Sequence, residues 1–377
     1  MSRFGAVLVG CGQIADAWVQ SALDHDDLEL VAIVDADIDR ARALTARYAF
    51  NTATFSTLDD AIRTTGPNLV LDITPPGFHP TTTVTAVKAG CDVLGEKPIA
   101  TTADEAVRVI GQVVQSGQRY SVMQNRRYGP PVRALAELVR AGSLGGVGLI
   151  SADFFFTGPD EGFRVTEPHQ LLLDMGVHTL DQARLIAGGE GVWAECVEFN
   201  PPGSWFTGNA GALATVAFDN GAMISYRGTW AAAGFHTGYD CTWRIAGTDG
   251  SAIWDGWGDP ITEIAAPGPG PRLGRSVTRT ELDTSAYSIA EPPDPMPSGK
   301  WRDTDVLDIR PYFRGHAACL AEMLQALRDD RPAETDCREN FKSAALVFAA
   351  MESAETGRRV AIPALPITAT VGTGGEY

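Results

Sequence analysis

Membrane and secretion signals are absent from this 377-residue chain. No apolar run approaches the roughly 20 residues that a helix needs to cross a bilayer. The N-terminus lacks a basic segment followed by an apolar stretch, and it leads almost directly into "GAVLVGCG". These absences argue against a membrane protein and against a cleaved secretion signal, so we expect a cytoplasmic protein.

Positive charge is scarce relative to negative charge. The 30 Lys and Arg residues face 47 Asp and Glu residues, which gives a formal net charge of −17. Such an acidic chain is repelled by nucleic acid and by anionic membrane surfaces, so we expect neither as a partner.

Cysteine pairs with metal-binding spacing are also missing. No CxxC motif joins any two of the six cysteines, which are Cys11, Cys91, Cys196, Cys241, Cys319 and Cys337. A structural zinc site and a disulfide framework are therefore not expected. Cys11 lies in a glycine turn, where we interpret it as a small residue that fills the turn and not as a reactive thiol.

The length favours two domains, which we place at residues 1–125 and 126–377. In the first domain, apolar runs alternate with amphipathic stretches, which predicts an α/β fold with a doubly wound parallel sheet. The predicted strands are Ala6–Gly10, Leu28–Asp35, Leu69–Thr74, Asp92–Gly95 and Tyr120–Gln124. The predicted helices are Ile14–Leu23, Asp37–Tyr48, Leu58–Thr64, Pro80–Ala89 and Ala103–Ser116.

The second domain has a different pattern. Short alternating runs between Val192 and Ile264, with the turn signals Asn220–Gly221 and Asp249–Gly250, predict an open, mainly antiparallel sheet. Residues 284–309 are too rich in Pro, Asp and Ser for regular structure, and a loop of that length is often functional. The other predicted elements are a strand at Gly148–Phe156 and helices at Val132–Arg140, Leu171–Ala187, Tyr312–Arg328 and Arg338–Gly357.

"VLVGCGQIA" places Gly10, Gly12 and Ala15 in a GxGxxA pattern between a strand and a helix. The first glycine permits a tight turn, the second permits close approach of a pyrophosphate, and the small third residue permits close helix–strand packing. The helix N-terminus then faces the anion, with Gln13 and Ile14 in the same turn. The context predicts a Rossmann dinucleotide site.

Asp35 ends the second predicted strand, where a carboxylate that binds the cofactor ribose is expected. The nearby Asp37 fits the role of helix cap better than Asp35 does. Asp37 and Asp39 add negative charge that repels a 2′-phosphate, and Arg40 is the only nearby cation. We therefore expect NAD as the cofactor in preference to NADP.

"DVLGEKPIA" places Glu96, Lys97 and Pro98 just past the carboxyl end of a predicted strand. Ligands bind at that edge of a doubly wound sheet. A lysine there is desolvated more easily than one on a helix surface, which suits it to proton transfer. Proline fixes the backbone beside it.

"LLDMGVHTLD" places Asp174 and His178 four residues apart on a predicted helix, so they share a face. A helix-face pair of this kind is usually structural when it stands alone. The presence of Lys97 and a dinucleotide turn favours a catalytic role. We expect Asp181 to anchor the helix through backbone or arginine contacts, with Arg184 as a candidate partner.

Several motifs together resemble the glucose–fructose oxidoreductase / inositol dehydrogenase family, also called Gfo/Idh/MocA. They occur in the family's order over nearly the whole chain: "GCGQIA", "VDADIDRA", "DITPPGFH", "AGCDVLGEKPIA", "NRRYGPP", "GSLGGVG" and "LLLDMGVHTLD". The resemblance implies an NAD-dependent oxidoreductase that acts on a secondary alcohol or ketone of a sugar or cyclitol. It also implies a C-terminal α/β domain that binds substrate and forms homodimers or homotetramers through its open sheet.

By the same resemblance, Lys97, Asp174 and His178 form the catalytic group. Residues implied to lie around the nicotinamide and its ribose are Thr74, Pro75, His79, Glu96, Lys97 and Asn125. The chain departs from the family at "EPHQLLLD", where many members have glycines. His169 therefore joins the candidate substrate residues, which are Arg164, His169, Trp230 and Tyr312.

The chemistry assigns His178 as base, Lys97 as the cation beside the alkoxide-like oxygen and Asp174 as an orienting carboxylate. The sequence leaves open an exchange of roles between Lys97 and His178. A metal site is not expected, because it needs a further protein ligand and only His169 and Asp181 are near. Two alternatives remain: a glycoside hydrolase with transient NAD reduction, and a non-catalytic NAD-binding regulator.

Overall fold

The computed structural model describes residues 3–266, 275–287 and 310–366. The chain divides into two compact units. The first contains the chain up to Met123, the segment Met323–Lys342 and the chain from Pro363. The second contains Gln124–Glu322 and Ser343–Ile362, so the C-terminal part of the chain contributes to both units.

Within the described residues, the first unit contains a parallel sheet of six strands in the order β3-β2-β1-β4-β5-β6. This is the order of a doubly wound dinucleotide-binding sheet. The strands are β1 (Phe4–Val9), β2 (Leu28–Val34), β3 (Ala53–Phe55), β4 (Leu69–Asp72), β5 (Asp92–Gly95) and β6 (Tyr120–Val122). The short strand β3 was not predicted from the sequence.

The helices that connect these strands are α1 (Ala15–Leu23), α2 (Ile38–Arg47), α3 (Leu58–Thr65), α4 (His79–Lys88) and α5 (Ala103–Ser116). Their ends follow local chemistry. The Thr102 hydroxyl accepts a hydrogen bond from the Glu105 amide at 3.3 Å, which caps α5 at its N-terminus. Gly117 ends the same helix in the left-handed region, with φ 76°, as glycine allows at low cost.

The second unit contains a nine-stranded sheet in the order β14-β13-β12-β11-β7-β10-β9-β8-β15. Its strands are β7 (Val147–Phe155), β8 (Gly191–Phe199), β9 (Gly211–Phe218), β10 (Met223–Thr229), β11 (Thr242–Gly247), β12 (Gly250–Trp254), β13 (Ile261–Ala265), β14 (Val277–Glu281) and β15 (Val360–Ala361). Among the described strands of this second sheet, only β7 and β10 pair in parallel. The predicted α/β fold with an open, mainly antiparallel second sheet is confirmed.

One face of this sheet packs against helices, and the other carries exposed side chains. Its core contains buried residues of α6 (Pro130–Arg140), α7 (Val177–Ala187) and α9 (Cys337–Thr356). The helix before α9 is α8 (Arg310–Arg328). Along β7 the side chains alternate, with Ile150 and Phe154 in the core and Leu149 and Phe155 exposed. The alternation fixes which strand residues face the helices and which face outward.

The predicted α-helix over Leu171–Ala187 is wrong in its first turn. Residues Leu172–Gly176 form a π-helix, and α7 begins only at Val177. A π turn contains an extra residue, so Asp174 and His178 are not related by the regular α-helical spacing assumed from the sequence. The turn is tightly packed at Gly176, where an added Cβ would lie 3.2 Å from the Leu172 side chain.

The predicted irregular segment at 284–309 lies mostly outside the described residues. Its first part contains a short 3-10 turn at Ser285–Tyr287. Among the helices that the structure describes, none has the length and apolar character required to span a membrane.

Candidate active site

The glycine turn after β1 has the backbone that a dinucleotide requires. Gly10 has φ 99°, and an added Cβ would lie 2.5 Å from the Ile73 carbonyl oxygen. Only glycine fits there. At Gly12 an added Cβ would meet nothing within 4 Å, so the space that a pyrophosphate would occupy is open. Gln13 is exposed and Ile14 precedes α1, as expected for a turn that faces a ligand.

Asp35 is held against this turn by two backbone amides. The Cys11 amide donates to Asp35 Oδ2 at 2.8 Å, and the Asp37 amide donates to Oδ1 at 2.9 Å. Asp37 itself caps α2, since its carboxylate accepts a bond from the Asp39 amide at 3.2 Å. Asp37 also lies 3.5 Å from Arg40, the cation that a 2′-phosphate would need. These residues fit a dinucleotide with a free ribose hydroxyl.

Cys11 is not a reactive thiol. Burial and the neighbouring Asp35 carboxylate raise its pKa to about 12. The thiol therefore stays protonated near neutral pH, which fits the interpretation of Cys11 as a turn-filling residue.

The turn after β4 contains a buried network that the sequence analysis did not find. Asp72 is fully buried, and its Oδ1 accepts bonds from the Thr74 amide at 3.1 Å and the Thr74 hydroxyl at 2.6 Å. Burial raises the pKa of Asp72, although His79 and Thr74 act in the opposite direction. The available sequence signal was a carboxylate that ends a wholly apolar strand, "LVLD".

His79 lies beneath this turn, with only 1% of its surface exposed. Its Nε2 is 2.7 Å from the Thr74 carbonyl oxygen, and its Nδ1 is 2.7 Å from the Pro98 carbonyl oxygen. Pro75 directly precedes the short 3-10 turn Pro76–Phe78, which leads into α4. The structure thus places His79 behind the loops that hold Thr74 and Lys97.

Glu96 and Lys97 follow β5, and Lys97 is half-buried. Glu96 Oε1 accepts a bond from the Trp18 indole at 2.7 Å, and Oε2 accepts one from the Lys97 amide at 3.2 Å. The peptide bond between Lys97 and Pro98 is cis. Glu96 therefore fixes the start of the turn that presents Lys97.

Asp174 lies in the π turn of the second unit. Arg164 Nε donates to Asp174 Oδ2 at 2.8 Å, and Gln170 Nε2 lies 3.5 Å from the same oxygen. The pKa of the nearby Glu167 carboxyl is raised, mainly by burial and further by the negative charge of Asp174. A carboxylate paired with a guanidinium in a half-buried setting is suited to accept a hydrogen bond from a hydroxyl.

His178 lies on the first turn of α7, where it is almost completely buried. One turn later, Asp181 is held by a bidentate contact with Arg127 at 2.7 and 2.9 Å. The Ser343 hydroxyl also donates to Asp181 at 2.6 Å. The anchoring role predicted for Asp181 is confirmed, but Arg184 is not the partner, because it pairs with Glu190.

The remaining candidate residues differ in their surroundings. Asn125 is buried, with its amide nitrogen 2.9 Å from His316 Nδ1. His169 lies between two carboxylates, with Nδ1 2.5 Å from Glu198 and Nε2 3.2 Å from Glu355. These contacts raise the pKa of His169. The contact between the Asn125 and His316 side chains was not apparent from the sequence.

Trp230 is only 3% exposed and packs edge-to-face on Phe154 and Phe156. Gly158 makes room for its indole ring. The side chain of Tyr312 lies outside the described residues. In the part of the chain that the structure describes, no cluster of three His, Cys, Asp or Glu side chains is arranged to bind a metal ion.

Two parts of the chain match sequence models of a known protein family. Residues 4–124 match the Gfo/Idh/MocA oxidoreductase family, described as having an NAD-binding Rossmann fold. Residues 132–253 match the Gfo/Idh/MocA C-terminal domain. The chain belongs to this family. The resemblance drawn from its motifs is confirmed, and this Gfo/Idh/MocA protein is an NAD-binding oxidoreductase.

Individual relatives of this Gfo/Idh/MocA chain include enzymes of sugar and cyclitol oxidation. D-apiose dehydrogenase of Paraburkholderia graminis is 26% identical over 378 residues, which cover 97% of this chain and 91% of that protein. Inositol 2-dehydrogenase of Leifsonia xyli is 34% identical over 162 residues, 42% of this chain and 45% of that protein.

Among solved structures, an oxidoreductase from Agrobacterium radiobacter in complex with NAD+, L-tartaric acid and magnesium has a similar fold. The TM-score is 0.80 at 20% identity, and the match covers 96% of this chain and 99% of that one.

Proposed function

We propose that this protein transfers a hydride between NAD and a secondary alcohol or ketone of a sugar, sugar derivative or cyclitol. One observation carries the proposal: the glycine turn and Lys97 lie at the same edge of one sheet. Gly10 follows β1 and Lys97 follows β5, and β4 separates these two parallel strands. The sheet thus presents a cation at the edge where its turn binds a dinucleotide.

The residues proposed to hold NAD lie around the turns that follow the strands. They are Gly10, Gly12, Gln13, Ile14, Asp35, Thr74, Pro75, Glu96, Lys97 and Asn125, with His79 behind them. When bound, the nicotinamide accepts or supplies the hydride. The amides of the glycine turn would face the pyrophosphate, and the Asp35 carboxylate would accept bonds from the ribose hydroxyls.

For the proton, we assign His178 as base and Lys97 as the cation that stabilises the substrate oxygen. In the oxidation direction, the imidazole takes the proton from the substrate hydroxyl while the ammonium stabilises the negative charge that develops on oxygen. An exchange of these two roles gives the same overall chemistry. Asp174, paired with Arg164, would orient the substrate through a neighbouring hydroxyl.

The substrate class rests on the relatives, whose printed activities concern apiose and inositol. The polar side chains of Arg164 and Gln170 beside Asp174 fit a ligand with several hydroxyl groups. His169 stays a candidate substrate residue, although its ring contacts Glu198 and Glu355. Trp230 also stays a candidate substrate residue. It packs with Phe154 and Phe156 in the second unit.

A screen of sugars and polyols tests the proposal directly. Purified protein with NAD should produce NADH, followed by absorbance, with at least one cyclic polyol or sugar. A glycoside hydrolase would instead release sugar from a glycoside without net NADH. A regulator would bind NAD and a sugar but would turn over neither, and this result would refute the proposed activity.

We also propose a homodimer or homotetramer formed through the outer face of the nine-stranded sheet. Its exposed apolar side chains support this, including Val197 at 61% and Leu213 at 49% exposure on the paired strands β8 and β9. Apolar area of this kind on an open sheet is typical of an interaction surface. The cytoplasm is the proposed location, since six cysteines that form no disulfide suit a reducing compartment.

A further inference from the structure

The buried side chain of His79 joins two loops at the cofactor edge of the first sheet. It begins α4 and has no route to solvent, because 99% of its surface is covered. Both ring nitrogens lie at hydrogen-bonding distance, 2.7 Å, from backbone carbonyl oxygens. The two carbonyls belong to different loops, one after β4 and the other after β5.

The first carbonyl is that of Thr74, whose amide and hydroxyl are already held by Asp72. His79 therefore completes the fixation of this turn from the opposite side. Since carbonyl oxygens only accept, both bonds form together when both ring nitrogens carry hydrogen. The buried Asp72 carboxyl, on which His79 acts electrostatically, is the nearby acidic group.

The second carbonyl is that of Pro98, the residue directly after Lys97. Glu96 holds the amide of Lys97 on the other side. The lysine backbone is thus fixed at its start by a carboxylate and just after its end by an imidazole. A ring with two nitrogens on opposite sides is one of few side chains that can span both loops.

We propose that His79 is a positioning residue that sets the direction of Lys97 relative to the nicotinamide by tying the Pro98 carbonyl to the Thr74 turn. The inference rests on the proposed function, because it assumes that Lys97 acts on the substrate. It assigns no contact between His79 and the substrate. The bond to Pro98 controls the lysine, and the bond to Thr74 controls the edge of the cofactor site.

Two substitutions separate these bonds. In His79→Asn, the amide nitrogen takes the approximate place of Nδ1, so the bond to Pro98 is retained and the bond to Thr74 is lost. In His79→Gln, the amide nitrogen takes the approximate place of Nε2, and the retained and lost bonds are reversed. His79→Gln should lower kcat roughly 10- to 100-fold with a small change in NAD affinity, because small misplacement of a reacting group has effects of this size.

His79→Asn should show the opposite division, with a raised KM and Kd for NAD and a smaller effect on kcat. His25→Gln is the matched control, since it removes a half-buried histidine of the same unit between α1 and β2. It should change neither constant. Thermal melting of each variant reports whether the fold persists.

A readout other than activity is available because the chain has only four lysines: Lys88, Lys97, Lys300 and Lys342. After reductive 13C-methylation, the Lys97 signal is identified by its loss in Lys97→Met. That signal should shift in His79→Gln and stay near its original position in His79→Asn. Equal shifts or equal kinetic losses in both variants would overturn the inference, because they indicate general packing.

If neither variant folds, the unmodified protein still decides the question. With 15N-labelled histidine, the ring hydrogen of His79 should exchange slowly with solvent, and a freely exchanging ring would overturn the bridge. Failure of the proposed function is recognised separately. It is recognised when the wild-type protein forms no NADH with any compound in the sugar and polyol screen. A fully active Lys97→Met refutes the role of Lys97 and the inference that depends on it, whereas an inactive Lys97→Met with an unaffected His79→Gln refutes only the inference.

Discussion

Carboxylates around the glycine turn govern the choice between the two nicotinamide dinucleotides at the scale of single residues. Asp35 receives two backbone amides and so keeps one orientation. Asp37 forms an ion pair with Arg40, which is the cation that a 2′-phosphate would need. Negative charge and a paired arginine together favour a ribose with two hydroxyls.

Replacement of Asp35 by alanine should therefore weaken NAD much more than NADP. Loss of charge-assisted hydrogen bonds, worth about 1.5–3 kcal/mol, corresponds to a loss of NAD affinity of roughly 10- to 100-fold. Calorimetric Kd values for both dinucleotides measure the effect, with Asp59→Ala on exposed α3 as control. An equal loss for NAD and NADP would refute this explanation of selectivity.

A second prediction at this scale concerns the contact between Arg164 and Asp174. Arg164→Met removes a charge-assisted bond of 2.8 Å and should lower kcat/KM by about tenfold or more, because Asp174 loses a fixed orientation. Arg140→Met is a suitable control, since Arg140 makes a comparable pair with Glu137 on the exposed face of α6. Steady-state kinetics that are alike for both variants would argue against a role for Arg164.

At the scale of elements, His169 connects three segments of the second unit. It precedes the π turn, and its ring contacts Glu198 on β8 and Glu355 near the end of α9. The bond to Glu198 is the main cause of its raised pKa, which burial partly offsets. A histidine that is protonated more readily in the folded state stabilises that state at low pH.

The sign of the resulting pH dependence follows from that direction. The stabilisation is fully present below the unfolded value of about 6.5, and it is lost as pH rises through the higher folded value. The wild-type Tm should therefore decline above pH 6.5 as His169 loses its proton. In His169→Gln this contribution to the decline should be absent. Melting curves of the two proteins across pH 5 to 9 test it, and parallel Tm profiles would contradict the assigned ion pairs.

The strands and helices also show which structural elements can be predicted from the sequence. The strands of the first sheet were predicted where apolar runs are long, as in β1, β2 and β4. The edge strand β3 was missed, because only three residues pair and Ala53 is exposed. The π turn was missed as well, since its apolar side chains give the same pattern as a first α-helical turn.

Side-chain bonds to carbonyl oxygens were equally hidden from the sequence. The motif "DITPPGFH" indicated that His79 belongs to the site, but both of its partners are backbone atoms without a residue signature. Charges that pair across long separations, such as Arg127 with Asp181, depend on the fold in the same way. The sequence therefore identified the candidate residues, and the structure identified their surroundings.

At the scale of the whole molecule, the exposed face of the nine-stranded sheet carries apolar side chains that include Leu149, Val197 and Leu213. Leu213→Glu places a charge on the exposed face of β9, next to Val197 on the neighbouring strand. If this face joins subunits, the substitution should reduce the mass measured by light scattering to that of a monomer. An unchanged mass, or a wild-type protein that is already monomeric, would contradict the proposed assembly.

The central claim is that Lys97 assists hydride transfer at the cofactor edge of the first sheet. The most direct test is a single-turnover experiment with Lys97→Met and a substrate identified in the polyol and sugar screen. The rate of NADH formation should fall at least about 100-fold, as for loss of an electrostatic or acid–base group, while calorimetric NAD affinity is largely retained. Nearly full hydride transfer in Lys97→Met would contradict it.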